Sequence, residues 1–265
     1  MQSTVVAEMA TTRGSRVAIE SLELTKRFGG LTAVERVSLS VATGEVLALV
    51  GDNGAGKSTY IEMLSGVVEP SSGVIQIEGR SVSMRSAADA RALGIETVHQ
   101  DLALCPDLTA AENMYLGREP VRLRLGPLSV IDRRRLREGS REHFAALAAT
   151  VPLAEPVRRL SGGQRQAVAI ARAAFWGTRL VIFDEPTAAL GVSQAQRTLE
   201  LIREVARRGA GVIVISHNLD EVFAVSDRIA VMRLGSLKAL LMTTATDKHR
   251  VHRLMAGLTA ERDDA

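Results

Sequence analysis

The sequence predicts an α/β fold built around a phosphate-binding loop, and three observations carry that expectation. Short apolar runs that end in polar residues recur at 46–50, 180–183 and 211–215, with helical patterns between them, as in a buried parallel sheet. Between the first run and a helical segment stands Gly51-Asp52-Asn53-Gly54-Ala55-Gly56-Lys57-Ser58-Thr59, which contains the pattern G-x-x-x-x-G-K-[ST]. Over 101–157 glycine and strand-like runs thin out and arginine rises, which predicts a helical insert.

Length and composition set the bounds. The 265 residues fit one large domain or two modest ones, and 46% hydrophobic with 24% charged residues is ordinary for a soluble chain with a sizeable core. Aromatics are only 3%, so the core is expected to be aliphatic. A net charge of +3 does not by itself point to nucleic acid. The single cysteine, Cys105, excludes an internal disulfide, fits a reducing compartment and reads as a small apolar filler. Residues 1–16 lack the basic start and apolar stretch of a signal peptide and are expected to be disordered. No apolar run approaches the ~20 residues that span a bilayer.

Along the chain, residues 17–24 alternate as a strand, and 26–30 read as a turn that carries Phe28. Strands follow at 34–41 and 45–50. After the glycine-rich loop a helix begins at about residue 60; residues 69–73 turn, and 74–78 form another strand ended by Gly79 and Arg80. A capped helix covers 86–93, and a strand over 95–98 delivers His99 and Gln100. In the insert, helices are expected over 109–116 and 132–149, and eight arginines fall between Arg118 and Arg141. These arginines read first as a solvated helical face, and otherwise as a docking surface for protein or anionic lipid. Leu160-Ser161-Gly162-Gly163-Gln164 opens a helix with Ser161 as N-cap. A helix over 193–208, a strand over 211–215 ending in Ser216 and His217, and a final strand pair turning at Gly235 complete the pattern.

The chemistry follows from where polar residues end apolar strands. A strand, a glycine-rich turn and a helix N-terminus direct backbone N–H groups and the positive helix end at phosphate. Lys57 adds charge for the outer phosphates, and the Ser58 hydroxyl suits Mg²⁺. The two glycines at the start of the Ser161 helix expose a second set of N–H groups. Asp184 and Glu185 can divide labour, one on a metal and one on the attacking water, although a polar strand terminus is the plainer reading of the pair taken alone. Gln100 can ligate Mg²⁺ or place a water, and His217 can donate to a γ-phosphate oxygen. Phe28 reads as a packing residue or as a platform for a base.

The loop 51–59, Gln100, the pentapeptide 160–164, the 180–186 run Leu-Val-Ile-Phe-Asp-Glu-Pro and the Ser216-His217 strand end occur in the order found in ATP-binding cassette ATPases, and the sequence resembles that family over about 17–258. The resemblance implies a P-loop NTPase fold with a RecA-like core and an antiparallel β subdomain (17–100 and 158–258), a helical subdomain (101–157) and a tail (259–265). It implies ATP as substrate and Mg²⁺ held by Ser58, Gln100 and Asp184. Glu185 would be the catalytic carboxylate, with His217 and Gln100 beside it, and Phe28 would stack on adenine. Leu160, Ser161, Gly162, Gly163 and Gln164 would contact the ATP of a second copy in a head-to-tail homodimer. The stretches 94–100, 112–119 and 186–191 look like simple-sugar import ATPases, similar to the single-cassette fructose type. That implies permease subunits at the cytoplasmic face of a membrane, a sugar-binding protein acting indirectly, and no nucleic acid. Another solute, or a non-transport cassette, is the alternative. One departure stands out: Gly191 occupies a place where many cassettes carry aspartate.

Overall fold

The computed structural model describes residues 16–125, 128–188 and 190–258. The disorder expected over 1–16 and the tail 259–265 therefore lie outside the described residues, except for Arg16.

Two long antiparallel strands, β1 (Val17–Phe28) and β2 (Leu31–Ala42), open the chain. Both outrun the expected strands, because the pairing continues to Phe28 opposite Leu31 through what reads locally as a turn. β3 (Val46–Val50) is buried along its whole length and feeds α1 (Lys57–Leu64). β4 (Ser72–Ile77) and β5 (Arg80–Val82) form a hairpin, with β5 starting where the sequence pattern stops. α2 (Ala87–Ala92) is capped by Ser86, and β6 (Ile95–Val98) follows.

The 101–157 stretch carries the expected helices, α3 (Ala110–Met114) and α4 (Arg133–Ala146), and adds an antiparallel hairpin of β7 (Val121–Leu125) and β8 (Leu128–Ile131). The signal was present: Val-Arg-Leu-Arg-Leu alternates with period two. Arg122 and Arg124 therefore belong to a strand, and the eight arginines do not form one helical face. α5 (Gly162–Trp176), β9 (Leu180–Asp184), α6 (Val192–Arg207) and β10 (Gly211–Ile215) follow as expected. α7 (Leu219–Val225), capped by Asn218, is an addition, and β11 (Arg228–Arg233), β12 (Ser236–Met242) and α8 (Lys248–Ala256) end the described chain.

The strands sort into two main sheets. A four-stranded antiparallel sheet has the order β2-β1-β4-β5, and a six-stranded sheet has the order β12-β11-β3-β10-β9-β6, in which only β12 runs antiparallel. One core packs the antiparallel sheet and α1 around Leu24, Leu47, Tyr60 and Met63. Tyr60 is fully buried, and its hydroxyl is 2.8 Å from that of Ser21. Burial pushes the Tyr60 phenol well above its usual range. A second core sets α3, α4, α5 and α6 against the other face of the large sheet. Three of the eight aromatics, Tyr115, Phe175 and Trp176, gather where α3 meets α5: Tyr115 and Phe175 rings lie 5.6 Å apart edge to face, and Trp176 Nε1 donates to the Met114 carbonyl at 2.9 Å. The Trp176 indole has an apolar body and a satisfied polar end, which suits a seam between helices.

Candidate active site

Four neighbouring parallel strands, β3, β10, β9 and β6, end on one edge of the large sheet. Their registers are level: Ile215 pairs with Leu49 and with Asp184, and Phe183 pairs with Val98. Residues 51–59, Ser216-His217, Asp184-Glu185 and His99-Gln100 therefore leave the same edge, where open α/β sheets bind ligands.

The loop after β3 is shaped by glycine. At Gly51 φ is +154°, and a Cβ there would stand 2.2 Å from the Met232 carbonyl oxygen; at Gly56 φ is +95°, and a Cβ would meet the Ala33 carbonyl oxygen at 2.5 Å. Only glycine lets this backbone lie against β2 and β11. Gly56 caps α1 without a side-chain bond, so the first N–H groups of α1 stay open to an anion. Ala55 is buried, whereas Asp52, Asn53, Gly54 and Ser58 are exposed and Thr59 half-buried. Lys57 Nζ donates to the carbonyls of Gly51 at 2.6 Å and Asp52 at 3.0 Å. Burial pushes its ammonium below the usual lysine range, against the pull of Glu185, Asp52 and Asp184.

The acidic pair sits at the end of β9. Burial raises the Asp184 carboxyl above its usual range, with Glu185 adding to the rise and His99 and Lys57 opposing it. Glu185 has φ 49°, a left-handed backbone that costs a non-glycine residue about 1 kcal/mol. That conformation is held by its own N–H donating to the Ile215 carbonyl at 3.0 Å. It turns the carboxylate to His217, whose Nδ1 is 2.9 Å from Glu185 Oε1. Gln100 is exposed and lines one cleft with Glu185 and Gly162.

Phe28 ends β1 and is 47% exposed, with Lys26 Nζ 5.1 Å from the ring centroid. An exposed ring is free to stack, and a packing role in the core is ruled out. At the start of α5, Ser161 and Gln164 form a reciprocal capping box: Gln164 N–H donates to Ser161 Oγ at 3.2 Å, and Ser161 N–H donates to Gln164 Oε1 at 3.0 Å. Leu160 is buried under the helix start, and the N–H groups of Gly162 and Gly163 lie in the first turn, ahead of the intrahelical ladder. Gly191 caps α6 without a side-chain bond, so the aspartate's absence leaves that helix end open.

A second tie went unread in the sequence. Glu221 Oε2 accepts from Thr187 Oγ1 at 2.5 Å and from Ser216 Oγ at 3.3 Å, and so joins the loop after Glu185 to the turn that carries His217. Its place, four residues after His217 in the first turn of α7, was the available signal. Glu221→Ala is expected to lower turnover about ten-fold and Tm by a few degrees, about 2–4 °C for each kcal/mol of lost bonding. Unchanged turnover in that variant would show that the tie carries nothing for the site.

Comparison with known proteins bears on the family and the fold. The ABC transporter family pattern matches residues 34–188, more than half of the chain. A fructose import ATP-binding protein of Rhizobium meliloti is 47% identical over 216 residues, covering 80% of this chain and 83% of the relative. A ribose import ATP-binding protein of Rubrobacter xylanophilus is 43% identical over 92% of this chain, which spans 47% of that longer relative. Among solved structures, the ADP conformation of MJ1267, an ATP-binding cassette of an ABC transporter, superposes with a TM-score of 0.75 over 91% of this chain and 95% of that one. At 23% identity that likeness speaks for the fold alone. By family pattern, relatives and fold together, the chain belongs to the ABC transporter family.

Proposed function

We propose that this chain is the ATP-hydrolysing subunit of an importer of a simple sugar, and that it works as a head-to-tail pair of identical chains beneath separate permease subunits. The observation that carries the catalytic half of this reading is the contact of Glu185 with His217, 2.9 Å apart on the strand edge that also presents Lys57. The fructose-import relative supports the sugar half. Residues 17–100 and 158–258 serve as the core with its β subdomain, and 101–157 as the helical subdomain.

In this reading the N–H groups of the loop 51–56 and the start of α1 hold the phosphates, and Lys57 turns from its carbonyl partners to the outer ones. Glu185 orients the attacking water and takes up its proton. His217 fixes the Glu185 carboxylate through Nδ1–H, and as an imidazolium it also donates from Nε2 to a γ-phosphate oxygen. Phosphoryl transfer asks for such positioning more than for strong acids or bases. Ser58, Gln100 and Asp184 offer a hydroxyl, an amide and a carboxylate, the hard oxygen set that suits Mg²⁺, and the half-buried Asp184, dominated by desolvation, is the kind of carboxylate a cation would compensate. When bound, Mg²⁺ would neutralise charge on the terminal phosphates. Phe28 would carry the adenine.

The Ser161 helix start borders two clefts: Gly162 lines the one beside Glu185, while Ser161, Gly163 and Gln164 line a second cleft of about 880 Å³ shared with the end of α4 and with α6. The face with Ser161, Gly163 and Gln164 is the one suited to a nucleotide held by a partner. No described helix is long and apolar enough to cross a membrane, so attachment to the cytoplasmic face would run through the permease.

The test is vesicle uptake. Co-expressed with its permease, the chain is expected to drive ATP-dependent accumulation of a labelled simple sugar delivered by a binding protein. ATPase activity that drives only some other solute would remove the sugar and keep the rest. Hydrolysis by the isolated chain is expected to rise with the square of dilute protein concentration; a rate per chain independent of concentration would exclude the paired site.

A further inference from the structure

One cleft beside the site is lined by a side chain that carries a buried polar atom without a partner. The cleft, about 450 Å³, lies between the Gln100 strand end and the start of α5. Gln166 lines it and is 5% exposed, and its Nε2 is buried with no hydrogen-bond partner. Gln100, Asp101 and Leu102 line the same cleft, with Glu185 and Pro186. No described backbone amide donates to the carbonyls of Gln100 or Asp101. α5 already grips the next residues of that strip, because Arg172 donates to the Leu102 carbonyl at 3.1 Å and to the Ala103 carbonyl at 2.9 Å. Between these holds the backbone is bent, with Ala103 at φ 47°.

A buried donor left unmade costs stability, and folded proteins retain few of them. This one belongs to a side chain that lines the same cleft as Gln100 and Asp101, beside the reacting groups, and a second conformation would give it a use. We propose that Gln166 is a positioning residue whose Nε2 donates to the Gln100–Asp101 backbone when nucleotide draws that segment onto α5. The bond is made only in the closed state, and it sets Gln100 beside Glu185. The start of α5 and the Gln100 strand end then move as one body. This inference rests on the ATPase reading above and adds to it a residue outside the pentapeptide 160–164.

The variant Gln166→Met keeps side-chain volume and removes the donor. Measured on the full chain without nucleotide, its Tm is expected to rise by about 2–4 °C, because the unmade bond no longer weighs on the open state. ATP binding to the dilute, unpaired chain is expected to stay within about two-fold of wild type. Turnover of the chain assembled with its permease is expected to fall about ten-fold, the loss of one hydrogen bond made only on closure. The opposite movement of Tm and turnover is the signature, since a merely structural role would lower both together. Turnover at the wild-type level would overturn the inference, and so would a fall in turnover matched by a fall in Tm. A wild-type assembly with no turnover at all would instead remove the ATPase reading, and the latch with it.

Discussion

Glu185→Gln is expected to abolish ATP turnover, by about 10²–10⁴-fold, while ATP still binds. The amide is isosteric with the carboxylate, so the left-handed backbone at residue 185, held by the Ile215 carbonyl, is left in place. A hydrogen bond to His217 Nδ1 can persist through the amide oxygen. What is lost is the basic group that orients water and receives its proton. The removed charge also acts on its neighbour: Glu185 contributes to the rise of the Asp184 carboxyl, so Asp184 is expected to ionise at lower pH in the variant. Nucleotide titration with a parallel single-turnover assay checks the separation of binding from chemistry. Turnover within a few-fold of wild type would assign the water to another group.

The second large effect is expected at Gly51. Gly51→Ala places a Cβ 2.2 Å from the Met232 carbonyl oxygen and 3.0 Å from the Ala55 side chain, at a backbone φ of +154°. Backbone atoms of β11 cannot give way as the end of a flexible side chain can. The clash and the conformational strain together cost about 2–5 kcal/mol, lowering Tm by roughly 5–15 °C. Because the displaced loop is the one whose N–H groups would hold phosphate, ATP affinity is expected to fall at least ten-fold as well. Gly54→Ala is the control: φ is +80° but nothing lies within 4 Å of its Cβ, so the cost is limited to about 1 kcal/mol of backbone strain. Equal behaviour of the two variants would mean that the close approach to Met232 is not what glycine is needed for.

Much of the site was legible because its signals are local. The spacing of Gly51, Gly56, Lys57 and Ser58 is a property of one loop and one helix start, and such an anion site is complete within ten residues. Ser161 as N-cap was equally local, and the structure adds only the return bond from Gln164. Apolar runs that end in Asp184, Ser216 or Gln100 could be read one at a time, since burial of a strand leaves its mark on every residue. The hairpin of β7 and β8 was legible too, by its alternation, but was outweighed by the arginine count around it. Glu221 and Gln166 were not. An acidic residue in a helix's first turn and a glutamine on a helix are ordinary in sequence, and they acquire meaning only from Thr187, Ser216 or the cleft beside Gln100.

Residue types and their short spacings were therefore enough to expect a phosphate site in the loop, carboxylates at the end of one strand and a histidine at another, and a second helix start with open N–H groups. They did not decide which of these groups meet. That depends on the order β3-β10-β9-β6, which brings the strand ends of residues 50, 215, 184 and 98 side by side. Strand order is settled by which crossovers bury both faces of the sheet, an energy summed over the whole core and not visible in any window of the chain. The left-handed turn at Glu185 is decided in the same way. Its cost is borne because the Ile215 carbonyl and the imidazole of His217, 32 residues away, hold it in place.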